Sequence, residues 1–167
     1  MSKPFVSILM GSESDLSIMQ AAGDIFTQLQ IGYEIKITSA HRTPAITQQF
    51  ISDAESRGCG VFIAGAGLAA HLAGATAAHT TKPVIGVPID SGPLNGFDAL
   101  LSTVQMPAGI PVATVAIGKT GAKNAAYLAA QILSLGDAEL AQRVKAERAA
   151  NSDKVQSQDK ALQDSLN

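Results

Sequence analysis

Apolar residues follow two alternating rhythms along this chain, and the alternation predicts its architecture. Short runs rich in β-branched residues, FVSILM (5–10), YEIKIT (33–38), VFIAG (61–65), PVIGVPI (83–89) and PVATVAI (111–117), read as five strands. Between them the spacing turns helical. Residues 15–30 place Met19, Ala22, Phe26 and Leu29 on one face and stop at Gly32. Residues 44–57 repeat the pattern with Ile46, Phe50 and Ala54, and Gly58 ends the run. An Ala-rich helix is expected from Leu68 to about His79, a short one over 97–104, a long one over 122–135 and another over 137–150.

Strands joined by helical crossovers require a parallel sheet with helices on both faces. Strands that are apolar at consecutive positions, as VFIAG is, fit a sheet covered on both sides. The expected fold is a three-layer, doubly wound α/β sandwich of flavodoxin-like strand order with an extra C-terminal helix. Residues 1–150 form its single domain. Residues 151–167 form a polar tail that is exposed, frayed or laid on a neighbouring subunit.

Composition narrows the function classes. A chain of 167 residues, 46% hydrophobic, can bury a core without staples. A net charge of −2 with no Lys or Arg stripe disfavours nucleic acid as a partner. The single cysteine, Cys59, rules out an internal disulfide and reads as a buried structural thiol. The three histidines lack acidic companions at ligand spacing, so no metal site is expected. The N-terminus enters a strand without the layout of a signal peptide, and no apolar run nears the roughly 20 residues that span a bilayer. A cytoplasmic protein with no membrane partner is the expectation.

In doubly wound sheets, ligands bind beyond the carboxyl ends of the strands, near the switch in strand order. The loops after the first four strands read GSESD (11–15), SAHRTP (39–44), GAGLAAH (65–71) and DSGPLNG (90–96). Ser12 and Asp15 have capping-box spacing, and Ser14 is a second candidate cap; helix starting alone explains them. The same free amides and hydroxyls would also hold a phosphate, while Asp15 suits ribose hydroxyls better than an anion. In SAHRTP, Pro44 opens a helix and Thr43 is its expected N-cap. That leaves His41 and Arg42 displayed in a short loop. Arg42 offers a planar donor fork for phosphate, and His41 can give and take a proton near neutral pH.

GAGLAAH satisfies a G-x-G-x-x-A dinucleotide fingerprint, with Asp90 some way beyond. It follows the third strand rather than the first, so the alternative is that Gly65 and Gly67 admit close approach of a small planar ligand. His71 is equally a partner of the site or a helix-face residue, and His79 a partner of a helix C-terminus. IGKTGAKNAA (117–126) holds only a fragment of a phosphate loop and reads as strand, turn and closely packed helix.

GSESD, SAHRTP, AGAGLAAHLAG, GVPID, QMPAGIPV and AIGKTGAKNAA occur in this order across roughly residues 5–148. The set resembles the class I N5-carboxyaminoimidazole ribonucleotide mutases of bacterial purine biosynthesis. The related class II carboxylases, which use free CO2, typically carry Lys-Gly where this chain has Arg42-Thr43. The chain departs from the family's usual GAGGAAHLPG at Leu68 and Ala73, which replace a Gly and the Pro. The resemblance implies a catalytic flavodoxin-like subunit in a homo-octamer, with sites between subunits, a small ribonucleotide substrate and no cofactor. It implies His41 as catalytic proton shuttle. It implies substrate contacts from Ser12, Ser14, Asp15, Ser39, Arg42, Gly65, Gly67, Ala69, His71 and Leu72, and a neighbouring site completed near Gln105, Met106 and Pro107. A class II type carboxylase and a non-catalytic nucleotide-binding module are the competing expectations.

Overall fold

Side chains alternate across a strand, and here each side of the sheet meets its own helices. The computed structural model describes residues 3–166. Its strands are β1 (Phe5–Met10), β2 (Tyr33–Ile37), β3 (Cys59–Gly67), β4 (Val84–Ile89) and β5 (Ala113–Thr114). Its helices are α1 (Leu16–Gln28), α2 (Pro44–Ser56), α3 (Leu72–Ala77), α4 (Phe97–Val104), α5 (Gly118–Ser134) and α6 (Ala138–Leu166). Every strand pair is parallel, in the order β2-β1-β3-β4-β5, which is the flavodoxin-like order.

Val6, Ile8 and Met10 of β1, Val61 and Ile63 of β3, and Ile85, Val87 and Ile89 of β4 point to one face, where α1 and α5 cover them. Leu9, Phe62, Ala64 and Val84 point to the other, against Ile51 and Ala54 of α2 and Leu72, Ala73 and Ala77 of α3. Central strands covered on both faces explain the consecutive apolar runs.

Several element boundaries differ from the sequence reading. Strand β3 runs two residues beyond VFIAG, to Gly67, because Ala66 and Gly67 still pair with Pro88 and Ile89 of β4. Helix α3 starts at Leu72 rather than Leu68, since Leu68 holds a left-handed φ of +56° that no α-helix accommodates. At the sheet edge β5 shrinks to two residues, and the chain turns at Ile117 into α5, which begins at Gly118. Helix α6 does not end near Ala150 but continues to Leu166. Residues 138–166 contain neither Gly nor Pro to stop it.

Only the first turns of α6 are docked. Leu140 is buried, Arg143 Nε donates to the Leu29 carbonyl at 2.9 Å, and Tyr127 donates its hydroxyl hydrogen to Glu147 at 3.0 Å. From Arg148 onward every described residue is exposed.

Candidate active site

The strand order reverses between β1 and β3, so their carboxyl ends open a crevice that the loops after β2 and β4 flank. After β1 the backbone stays extended at Ser12 (φ −154°), and its hydroxyl caps a single 3-10 turn, Glu13–Asp15, that leads into α1. Ser12 Oγ accepts from the Ser14 amide at 3.4 Å and from the Ser14 hydroxyl at 3.0 Å. Capping therefore accounts for Ser12, while both serines still border the crevice. Asp15 is 6% exposed. Burial pushes its carboxyl above the ordinary range, against the opposing pull of the Ser12 backbone and the Ser14 side chain.

After β2, hydroxyl groups fix the loop. Thr43 occupies the N-cap position of α2, yet its side chain makes no capping bond to that helix. Instead Thr43 Oγ1 accepts from the Ser39 amide at 2.9 Å, and the Thr38 and Thr47 hydroxyls meet at 2.6 Å beneath it. The Arg42 amide donates to Ser39 Oγ at 3.1 Å, and Arg42 Nη2 donates to the Gly11 carbonyl at 3.0 Å. Arg42 thus ties the loop after β2 to the loop after β1. Part of its donor fork remains for an anion.

These restraints present His41 to the loop after β3. His41 Nε2 lies 2.7 Å from His71 Nδ1, and the rings meet edge to face with centroids 4.9 Å apart. One hydrogen occupies that contact, donated by one ring and accepted by the other. That contact leaves Nδ1 of His41 and Nε2 of His71 as the ring nitrogens outside it. His71 reaches this contact from the position just before α3.

The cleft, open on one side to solvent, has a volume of about 530 Å³. Ser12, Ser14, Asp15, Ser39, His41, Arg42, Gly67, Ala69, His71 and Leu72 line it. Gly65 is not among the residues that border it. It sits inside β3, paired with Met10 and Val87, and a Cβ there would lie 2.4 Å from Met19 Sδ. Its small size serves the packing of α1. Gly67 does border the cleft, and a Cβ there would lie 2.5 Å from Ser91 Oγ. The two glycines of the apparent dinucleotide fingerprint thus face different neighbours.

Ala66 and Leu68, within the stretch 65–72 expected to line the carboxylate pocket, also border the cleft, as do Gly11, Ala40 and Ser91, which sequence reasoning did not single out as site residues. The available signal for Ser91 was its place directly after Asp90 in a loop already marked by its strand. Cys59 is buried and donates to the Val61 carbonyl at 3.3 Å; burial pushes its thiol pKa up, as suits a structural thiol. His79 lies past the end of α3, among the residues of a separate hollow with Glu55 and Lys82. Among the described residues no three His, Cys, Asp or Glu side chains are grouped to hold a metal ion. No described helix is long and apolar enough to cross a membrane.

Residues 5–154 match the family model described as AIR carboxylase. The chain is 56% identical over 146 residues to the N5-carboxyaminoimidazole ribonucleotide mutase of Bacillus subtilis, covering 87% of this chain and 90% of that one. It is 54% identical over 150 residues to the mutase of the same name from Escherichia coli, covering 90% and 89%. The crystal structure of Treponema denticola PurE superposes with a TM-score of 0.87 at 34% identity, covering 95% of this chain and 98% of that one.

Proposed function

The chain belongs to the AIR carboxylase family, and on that footing we propose that it is a 5-(carboxyamino)imidazole ribonucleotide mutase. It moves the carboxylate from N5 to C4 of the imidazole, giving 4-carboxy-5-aminoimidazole ribonucleotide in the synthesis of IMP. The observation that carries this reading is the His41–His71 pair at 2.7 Å, held at the wall of a cleft whose rim offers serine hydroxyls and Arg42.

Ser14, Arg42 and the amides at the head of α1 hold the phosphate, and Ser12, Ser39 and Asp15 meet the ribose. His41, protonated, delivers its proton to N5 as the N–C bond breaks, leaving aminoimidazole ribonucleotide and CO2. C4 then attacks the CO2 held near Gly67, Ala69, His71 and Leu72, forming the C–C bond. Neutral His41 removes the C4 proton, restoring the aromatic ring and its own charged form. The proton and carboxyl group balance within the cleft, so the sequence needs neither a redox partner nor a carboxyl carrier. His71 supports both states of His41 by accepting from Nε2–H when His41 is charged.

The same reading extends to assembly. Phe97, Leu101 and Val104 form an apolar stripe along α4, extended by Leu94 in the preceding turn, with exposures of 66%, 56%, 46% and 58%. A stripe of this kind suits a subunit contact in a homo-octamer, placing Gln105, Met106 and Pro107 beside a neighbouring cleft. The cytoplasm is the corresponding compartment for a ribonucleotide precursor.

The deciding experiment follows absorbance as purified protein interconverts the N5-carboxylated and C4-carboxylated ribonucleotides without added bicarbonate. Turnover there supports the mutase. Turnover only of aminoimidazole ribonucleotide, and only with bicarbonate, would replace it with the class II type of carboxylase. Tight binding of NAD with no carboxyl transfer would replace both with a nucleotide-binding module.

A further inference from the structure

We infer that Leu68 is a retention residue: it bridges the loops after β3 and β4 at the rim of the cleft and determines how much released CO2 is recaptured at C4. The inference rests on the carboxyl-transfer reading above and adds to it a residue with its own measurable role.

Leu68 holds a φ of +56°, a left-handed conformation that a branched L side chain adopts only at an energetic cost. Among the described residues, two other non-glycine residues share that conformation, Gln30 and Asn95. Gln30 lies just past the end of α1, where left-handed residues commonly close a helix, and asparagine tolerates the region well. Leu68 has neither excuse. It follows the last residue of β3 and precedes α3 by several positions, with an aliphatic side chain.

Core packing does not repay the strain, because Leu68 is 53% exposed. Its contact is instead with the opposite loop. A Cβ at Gly92 would lie 2.7 Å from Leu68 Cδ2, and Gly92 itself has a φ of +90°. Gly92 thus leaves room for the leucine, so the two loops meet side chain to backbone beside Ser91, which also lines the cleft. A glycine at position 68 would relax the backbone and open this gap. Strain kept at the rim of a cleft, without burial to justify it, points to a task there.

The chemistry supplies one. The N-carboxylate and the C-carboxylate are anions that hydrogen-bond donors such as backbone amides and a charged imidazole can hold. The CO2 between them has no charge and only weak hydrogen-bonding capacity. Once the N–C bond has broken, CO2 either accepts the C4 electron pair or diffuses out, leaving aminoimidazole ribonucleotide behind. Steric closure is the means of favouring the first course, and Leu68 is the apolar side chain that spans the two loops.

The test compares the intact protein with L68G, L68A and L68M. Two quantities are read: the ratio of C4-carboxylated product to released aminoimidazole ribonucleotide, corrected for spontaneous decarboxylation, and 13C entering the product carboxylate from [13C]bicarbonate kept in equilibrium with CO2. L68G is expected to release severalfold more CO2 per turnover and to incorporate severalfold more label. It should melt at the same or a higher temperature, since the backbone strain is gone. L68A should lie between, and L68M, which restores an apolar side chain of similar volume, should return both quantities toward the parent's. A parent-like product ratio and label content in folded L68G and L68A would overturn the inference. If the intact protein itself transfers no carboxyl group, the functional reading falls first and this inference with it.

Discussion

Where α5 lies against α1, Ala122, Ala125, Ala126, Ala129 and Ala130 are all 0% exposed, and Met19, Ala22 and Phe26 of α1 fill the space beside them. At the carboxyl ends of the same strands, the loops hold half-exposed serines, Arg42 and two histidines in a network of hydrogen bonds. The first region is held by volume. Small side chains let the helices approach, and any change in size is felt directly. The second is held by directional bonds between loops, several of which leave donors unused. The comparison teaches that close packing and directional bonding are concentrated at different places in this domain, so substitutions in the two should have separable effects.

The largest separation is expected at His41. The H41N variant should lose about 10²- to 10⁴-fold in turnover with little change in melting temperature. A variant that turns over at the parent's rate would remove His41 from the reaction, and parallel calorimetry would reveal any structural cause of a loss. F26A should do the reverse. Deleting that fully buried ring is expected to cost about 3–5 kcal/mol of stability in urea titrations, while the protein that remains folded keeps its substrate affinity.

R42A should raise KM by roughly the equivalent of one charged hydrogen bond, about 1.5–3 kcal/mol, with a smaller effect on kcat. An unchanged KM would mean that Arg42 only ties two loops together. A126L, which overfills the α1–α5 contact, should destabilise by about 1–3 kcal/mol and leave KM alone.

The smallest effect is expected at the pair of Glu34 and Arg57, 2.8 Å apart on the outer side of the sheet. Burial raises the Glu34 carboxyl, but hydrogen bonds from Arg57 and Ser7 outweigh it and hold the pKa below the ordinary glutamate range. A depressed carboxylate stabilises the fold above its unfolded pKa and loses that contribution as pH falls through the folded pKa. E34Q should therefore be slightly less stable than the parent near neutrality, and thermal melts should converge in acid. A gap that persists in acid would point to lost packing rather than lost charge.

Much of this division was legible in the residue pattern. Alternating rhythms located the strands and helices, and the loops that carry unusual residues were marked by following a strand. In SAHRTP, Pro44 accounts for the helix start and leaves His41 and Arg42 displayed in the loop, where both border the cleft. Other features were not legible, for identifiable reasons. Gly65 and Gly67 are indistinguishable as letters, yet Met19 fills the space beside one and Ser91 the space beside the other. Leu68 reads as a helix residue until its left-handed φ is known. Thr43 looks like a cap, but its hydroxyl is taken by Ser39.

The sequence by itself determined the order of elements, the parallel sheet and the family, because these follow from periodicity and from motifs in a fixed order. Tertiary structure alone decided that His41 meets His71, 30 residues away in the chain. The reason is the strand order: β1 lies between β2 and β3, so loops leaving β2 and β3 converge over the end of β1. A side chain's partner there depends on which strands are neighbours, and neighbourhood across a sheet is a property of the fold rather than of any local run of residues.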